Sequence, residues 1–313
     1  QDPEQYIMSL STTKKAILAL IISNIIWGAA PPIFKWALMD IGPFTLGYLR
    51  FLLACLLLLP FCYKHLHIYK KDIPILFFCG FTAVTINIMF FFLGLRLAPS
   101  INVNIISSAS PIALVFISHY FLLKEKFNKK ALLGSYIAFA GVMLTIIKPL
   151  LEHGAGDGRV LVGNILFVIS ALGALGLPLF GKKIIKDYKP ETLTFWTLFI
   201  GCVTFLPFFL NETITTNSLA HLTLRAVSGI LYGALFSSLT AYGLFFWALK
   251  YLPATETEVF LYLDPVVTVL IAAPLLHEYP DAMFFAGAVL VFAGVYVAQG
   301  RIPYHPIHKL FKS

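Results

Sequence analysis

Apolar residues lie along this chain in long blocks that are separated by short polar segments. The ten blocks cover residues 16–38, 44–63, 73–95, 98–123, 131–147, 161–181, 191–210, 226–249, 253–276 and 282–300. Most reach the roughly 20 residues that a helix needs to cross about 30 Å of hydrocarbon, although the fifth is short. The blocks lack the alternation in segments of about ten residues that is typical of barrel strands. The pattern therefore predicts an all-α integral membrane protein with ten transmembrane helices.

Two long stretches of the chain repeat one another. Residues 90–144 align with residues 244–297 after one single-residue gap. The aligned positions share prolines, an acidic residue and glycines: Pro99 with Pro253, Pro111 with Pro265, Glu125 with Glu278, Gly134 with Gly287, and Gly141 with Gly294. Because each half holds an odd number of spans, the second half enters the bilayer upside down. We therefore expect two inverted five-helix repeats, with a substrate site where they meet.

The repeat also predicts how the chain is divided. We expect a first five-helix repeat at 8–147, an external linker at 148–159, a second five-helix repeat at 160–300 and a cytoplasmic tail at 301–313. The linker is the most glycine-rich polar stretch. The polar segment before Met8 carries no information about the fold, and the nine further spans favour an uncleaved first helix over a signal peptide.

The composition excludes a soluble domain. The 313 residues are 59% hydrophobic and 12% charged, and the mean hydropathy is +0.85, whereas a soluble surface needs far more charge. The net charge of +8 does not indicate nucleic-acid binding, because most of the 23 basic residues fall in loops on one side of the predicted membrane. By the positive-inside rule, that side is the cytoplasm and holds both termini.

Enzyme and metal signals are poor in this sequence. The four cysteines lie in apolar spans without a pairing pattern, so no disulfide framework is implied. We find no metal-ligand spacing, nucleophile elbow, phosphate loop or Walker motif, and we expect no catalysis, no metal and no cofactor. The expected partners are a small-molecule substrate and membrane lipid. Glycines seven apart in the fifth and tenth spans favour packing within a monomer over a homodimer face.

The ninth span carries acidic residues that need a reason, since charge inside a membrane costs at least about 2.5–3.5 kcal/mol per residue. At 1.5 Å per residue, Glu258 lies about 10 Å from the cytoplasmic edge and Asp264 about 20 Å, while Glu256 is shallow. Tyr262 is one turn above Glu258 on the same face. Asp264 precedes Pro265, which removes a backbone hydrogen bond. We interpret Glu258, Tyr262 and Asp264 as cavity-lining; the alternative for Asp264 is a buried partner for a cation or for freed backbone.

The inverted counterpart of this stretch lies in the fourth span. Asn104 aligns with Glu258, and Ser110 aligns with Asp264. Polar atoms therefore recur at one place in both copies, but only one copy is acidic. This asymmetry is expected of a site for a non-symmetric molecule or a proton, and it makes Asn104 a candidate site residue.

The first span shows a second polar pattern. Asn24, Trp27, Pro31 and Lys35 are spaced three, four and four apart, which stacks them on one stripe of a helix. Arg50 in the second span lies at a similar depth, towards the outer side. The alternative for Lys35 is that it extends to the lipid headgroups. Arg50 is deeper, and that alternative suits it less well.

The eighth span adds hydroxyls and aromatic faces. Ser237, Ser238 and Tyr242 precede the aromatic run Phe245–Trp247. We take Tyr242 as a candidate site residue, whereas the aromatic run is more often helix packing than a cage for a cation.

These residues resemble the EamA branch of the drug/metabolite transporter superfamily. The segment WGAAPPIFKWALMDIGPFTLGYLRFLLACLLLL is similar to the family's opening, and the two repeat endings, with Glu125 and Glu278, are similar to its acidic positions. The resemblance implies ten helices in two inverted repeats and carrier transport, commonly efflux of amino acids or other small metabolites across a bacterial inner membrane. It also implies that Lys35, Arg50, Glu125 and Glu278 serve the fold or gating more than substrate choice.

Our hypothesis is a secondary transporter with a cavity between the repeats, lined by the first, third, fourth, sixth, eighth and ninth helices. Lys35 and Arg50 make the outer side positive, and Glu258 and Asp264 make the inner half negative, which suits a zwitterion such as an amino acid. Glu258 could also carry a coupling proton. The alternatives are a carrier for uptake of an organic cation, an intramembrane enzyme or lipid-handling protein, and a channel.

Overall fold

The computed structural model describes residues 3–110, 113, 129–153, 158–181, 184, 187–217, 219, 222–252 and 258–299. Within these ranges, side chains are described except at 3–11, 129–132, 149, 152–153, 178, 258–259 and 298–299. Helix is the regular secondary structure throughout the described ranges. The all-α class that the sequence predicts is confirmed.

The described helices correspond to the ten predicted spans, and we number them in chain order. The first five are α1 (Pro3–Ala37), α2 (Pro43–Cys62), α3 (Ile73–Gly80, Phe81–Ile86 and Asn87–Leu95), α4 (Ser100–Ser107) and α5 (Lys129–His153). The second five are α6 (Gly158–Ala174, continued by Leu177–Gly181), α7 (Pro190–Thr216), α8 (Leu224–Leu231, Tyr232–Thr240 and Ala241–Leu249), α9 (Glu258–Tyr262 and Leu263–Leu276) and α10 (Ala282–Gln299).

Among the described residues, six helices are long and apolar enough to cross a membrane. They belong to α1, α2, α3, α6, α7 and α8, whereas the apolar stretches of α5, α9 and α10 are shorter. Only the start of α4 is described, so the remainder of the predicted fourth span lies outside the described residues. The fifth helix is longer than the predicted 131–147 and runs on to His153. Lys148, where the sequence predicts the linker to begin, forms an ion pair with Asp281 and lies inside the helix.

Several helices of the first half pack against helices of the second half. Helix α1 packs on α8 and α6 packs on α3, while α2 packs on α8 and α7 packs on the middle of α3. The pairs α2–α7 and α5–α10 each join equivalent helices of the two halves. This is the contact pattern of two related five-helix units around a pseudo-two-fold axis.

Glycines let α5 and α10 approach closely. A Cβ atom placed on Gly141 would lie 2.6 Å from the carbonyl oxygen of Gly287 and 2.8 Å from the amide nitrogen of Val291. Because no side chain fits in these gaps, the two backbones are in direct contact. The small residues are therefore used for packing inside the chain, and the oligomeric state stays a prediction.

Helices α3 and α8 each contain a π-helical segment at matching positions. These are Phe81–Ile86 in α3 and Tyr232–Thr240 in α8, which overlap when the repeat alignment is extended. A further π-helical segment, Leu177–Gly181, ends α6. Such segments redirect carbonyl groups away from the regular ladder, and they are frequent at functional sites.

Candidate functional site

A cavity of about 230 Å³ lies between the two halves. Its wall is formed by α2 and by the six helices that the sequence predicts, α1, α3, α4, α6, α8 and α9, together with the residues that follow α4. The polar side chains on the wall are Asn24, Arg50, Asn87, Asn104, Ser107, Ser108, Ser110, Ser170, Ser237, Tyr242 and Asp264. So many polar groups at membrane depth are typical of a solvated or ligand-filled space.

The first helix contributes a backbone corner to this cavity. Pro32 has no N–H, so it cannot bond to the carbonyl oxygen of Gly28 four residues earlier. The hydroxyl of Thr268 in α9 donates to that carbonyl at 2.5 Å. Asn104 in α4 donates to the same hydroxyl through its Nδ2, at 2.5 Å. The twin-proline motif thus exposes an acceptor that links α1, α9 and α4.

Gly28 also brings α1 against the polar end of α9. A Cβ atom at Gly28 would lie 2.9 Å from the Cα and carbonyl oxygen of Asp264. Asp264 lies in the first turn of the α-helical part of α9, where a carboxylate is favoured by the helix dipole. Pro265 needs no N–H partner in this turn, so it starts the helix without a broken bond. Asp264 is thereby held on the cavity wall, with its side chain 8% exposed.

Trp27 forms the aromatic part of the wall. Its indole N–H donates to the carbonyl oxygen of Ser237, in the π-helical segment of α8, at 3.1 Å. Its ring makes edge contacts with Tyr242 and Phe245, each with centroids 5.3 Å apart. The hydrogen bond fixes the ring orientation, so the cavity has a rigid aromatic surface beside its polar groups.

Arg50 is buried among aromatic rings. Its guanidinium carbon lies 4.5 Å from the ring centre of Phe51, 4.9 Å from that of Phe34 and 5.2 Å from that of Phe92. The residue is 1% exposed and lines the cavity. Within the described part of the chain, none of its three side-chain nitrogens has a hydrogen-bond partner.

Two asparagines supply amides to the cavity. Asn24 uses its Nδ2 to donate to the carbonyl oxygen of Leu20 at 2.8 Å, and its Oδ1 has no partner among the described residues. Asn87 donates to the carbonyl oxygen and hydroxyl of Ser170, at 2.9 and 3.2 Å. Asn87 therefore joins α3 to α6 across the wall, whereas Asn24 keeps an acceptor oxygen free.

Lys35 does not line the cavity but forms an ion pair beyond one end of it. Its ammonium group pairs with a carboxylate oxygen of Glu278 at 2.7 Å and donates to the carbonyl oxygen of Ala98 at 2.7 Å. The other oxygen of Glu278 accepts from the amide and hydroxyl of Ser100 at 2.7 and 2.6 Å. Glu278 thus caps the N-terminus of α4 and ties the ends of α1 and α9 to it.

The structure brings together most of the predicted site residues. Six of the nine lie on the cavity wall: Asn24, Trp27, Arg50, Asn104, Tyr242 and Asp264. Tyr262 is partly buried and packs on Phe292, with ring centres 5.4 Å apart. The side chain of Glu258 lies outside the described residues, and Glu256 and Glu125 lie outside them entirely.

Some wall residues were missed or undervalued by the sequence reasoning. Asn87 is a single polar residue in an apolar span, and its role becomes visible only through its contact with Ser170. Ser170 had a usable signal: when Pro43 is aligned with Pro190, Ser170 falls on Ser23, next to Asn24.

Comparison with known proteins identifies similar sequences along nearly the whole chain. The model of the EamA-like transporter family matches residues 14–147 and again residues 161–299. An uncharacterized transporter of Archaeoglobus fulgidus is 28% identical over 297 residues, which covers 92% of this chain and 98% of the relative. A protein of Salmonella typhimurium named "Probable amino-acid metabolite efflux pump" is 25% identical over 291 residues, covering 91% and 94%.

A solved crystal structure of another protein has a similar fold. It superposes with a TM-score of 0.63 at 16% identity and covers 91% of this chain and 96% of that one. At this identity the likeness concerns the fold alone.

Proposed function

This chain belongs to the EamA-like transporter family, and from that membership we propose that it is a secondary carrier for a small polar metabolite. The substrate is an amino acid or a related zwitterion, and the direction is export across a bacterial inner membrane, with both termini in the cytoplasm. Alternating access between the two repeats moves the substrate.

The observation that supports this substrate class is that the cavity wall holds a positive and a negative side chain. Arg50 supplies a cation and Asp264 supplies a carboxylate, and both line the same space between the halves. A zwitterion carries a charge opposite to each of these two groups, whereas an organic cation would have to approach Arg50. The uptake carrier for cations keeps the support of Trp27, Tyr242 and Phe245, whose rings face the cavity.

Alternating access is supported by side-chain contacts that lie across one end of the cavity. Phe34 and Phe91 contact each other with ring centres 6.2 Å apart at the end of the cavity where α1 and α3 finish. The ion pair of Lys35 with Glu278 lies beyond them. These contacts narrow the path at this end, which favours a gated carrier over a channel with a continuous polar path.

Export is favoured by the name of one relative. The Salmonella typhimurium relative carries the name of an efflux pump for amino-acid metabolites. In our proposal Glu258 exchanges a coupling proton, because an ionisable residue inside a membrane span typically marks a proton or substrate pathway.

The test is transport in proteoliposomes with radiolabelled amino acids, with and without an imposed pH gradient. Wild-type protein is expected to exchange at least one amino acid, and Asp264→Asn is expected to lose that exchange. Glu212→Gln is the matched control, because Glu212 accepts hydrogen bonds from Thr45 at the start of α2 and does not line the cavity.

Three results would count against parts of this proposal. Full exchange by Asp264→Asn would remove the cavity carboxylate from the mechanism. Gradient-independent flux in both wild type and Glu258→Gln would leave a facilitator without a proton. Transport of a quaternary amine with no amino-acid exchange would favour the uptake carrier.

A further inference from the structure

Among the described residues, Arg50 is a buried charged side chain whose nitrogens have no hydrogen-bond partner. It is 1% exposed, and Nε and both terminal nitrogens have no hydrogen-bond partner within the described residues. Lys35 shows the contrast, since it has both a carboxylate and a carbonyl oxygen within 2.7 Å. A buried cation without such partners is costly, so its retention needs a compensating role.

The aromatic rings around Arg50 stabilise its charge but cannot replace an acceptor. Phe34, Phe51 and Phe92 lie 4.5 to 5.2 Å from the guanidinium carbon, within range of a cation–π interaction. Ring faces offer no lone pair to the five N–H groups of the guanidinium. Because Arg50 also lines the cavity, an incoming ligand can supply the missing acceptors.

Gly233 determines where the Arg50 side chain lies. A Cβ atom at Gly233 would be 2.9 Å from Cδ of Arg50 and 3.0 Å from the ring of Phe34. Gly233 lies within the π-helical segment of α8, at the helix surface facing α2. Any larger residue there would push Arg50 out of its present position without changing its charge.

We propose that Arg50 is the carboxylate subsite of the cavity, and that Gly233 positions it. This inference rests on the proposed function and names the group that every substrate shares. A planar carboxylate meets the guanidinium edge through two parallel N–H···O hydrogen bonds, a geometry that Lys cannot reproduce. The free Oδ1 of Asn24, on a residue that is 1% exposed, accepts an N–H from the same molecule. Ligands therefore carry both a carboxylate and an N–H donor.

The proposal predicts that removal of the Arg50 charge stabilises the empty protein. A buried charge without a counterion destabilises the empty protein, and an apolar residue of similar length removes that cost. Arg50→Met is therefore expected to raise the melting temperature of the empty, purified protein while it abolishes carboxylate binding. A residue that served packing alone would give a lower melting temperature on the same substitution.

The experiment measures thermal unfolding of purified protein with propionate, propionamide or chloride at equal ionic strength. Wild type is expected to gain stability with propionate but not with propionamide. Arg50→Met, Arg50→Lys and Gly233→Ala are expected to weaken the propionate response at least tenfold in apparent affinity. Arg225→Met is the matched control, because Arg225 is half-exposed and pairs with Asp40 outside the cavity; its response is expected to equal wild type.

Absence of a propionate response in wild type, its persistence in Arg50→Met, or a lower melting temperature of empty Arg50→Met would each overturn the subsite. The proposed function fails separately. If propionate binding depends on Arg50 but proteoliposomes move no amino acid, the subsite stands and the transport proposal does not. If amino acids are exchanged equally by wild type and Arg50→Met, the transport proposal stands and the subsite does not.

Discussion

Substitution of Glu278 by Gln is expected to loosen the end of the protein that our proposed topology places outside. One carboxylate oxygen of Glu278 holds Lys35 at 2.7 Å, and the other accepts two hydrogen bonds from Ser100 at the start of α4. Glutamine keeps a carbonyl oxygen that can still cap α4. It loses the charge that holds Lys35, so the change acts mainly on the link between α1 and α9.

The magnitude follows from the burial of this pair. An exposed ion pair contributes about 0–1 kcal/mol, and breaking a fully buried one costs about 3–5 kcal/mol. The side chains of Lys35 and Glu278 are 24% and 13% exposed, so the pair lies between these limits. We expect a loss of about 2 kcal/mol for Glu278→Gln, which corresponds to about a 30-fold change in an equilibrium constant. If the outward-open state lacks the pair, its population rises by about that factor.

The assay is labelling of a cysteine at position 91 by a membrane-impermeant maleimide added from outside. Phe91 lies on the cavity wall and contacts Phe34, so Phe91→Cys reports opening of this end. In the Glu278→Gln background the labelling rate is expected to rise about 30-fold or until opening is complete. Glu212→Gln serves as the control, because it weakens a similar cap on α2 and does not touch Lys35.

Two outcomes would refute this reasoning. An unchanged labelling rate in Glu278→Gln would show that the ion pair does not bias the conformation. An equal increase in Glu212→Gln would show that any weakened cap loosens the protein, so that the link to Lys35 has no special role.

Two further predictions concern stability. Gly294→Val would drive a side chain into the backbone at Ala138 and is expected to cost about 3 kcal/mol or more. The variant is expected to lose its monodisperse peak in size-exclusion chromatography. Gly243→Val is expected to keep that peak, because a Cβ atom at Gly243 meets nothing within 4 Å. Burial opposes ionisation of Asp281, but Lys148 and the α10 N-terminus hold the pKa of this carboxyl below its usual range. The Asp281 carboxylate contributes under about 1 kcal/mol to folding stability, because the pair is so exposed. This contribution is present above the unfolded pKa of roughly 4 and is lost as pH falls through the lower folded pKa. A difference in melting temperature between wild type and Asp281→Asn that persists at pH 2 would contradict this.

The helices could be predicted because they depend on the local pattern of apolar residues. The division into two five-helix halves could be predicted because the sequence contains an internal repeat. The depth of Arg50 was likewise readable, since a cation so far from a helix end cannot reach the headgroups. Lys35 shows the limit. It shares a stripe with Asn24 and Trp27, yet it lies beyond the cavity because Glu278, more than 240 residues away, supplies its partner.

The π-helical segments could not be predicted from the chain alone. An extra residue in a helical turn is tolerated where tertiary contacts satisfy the displaced carbonyl groups. In α8, the indole of Trp27 does this for Ser237. Such a contact joins residues 210 positions apart, and local propensity has no information about it.

The two halves share a framework, but the site depends on how their side chains differ. When Pro43 is aligned with Pro190, Asn24 falls on Ala171 and Trp27 falls on Ala174. All four line the cavity, so at these two positions α1 carries large or polar side chains and α6 carries methyl groups. In the proposed mechanism, equivalent backbones let the halves exchange conformations, while unequal side chains orient a substrate that has two different ends.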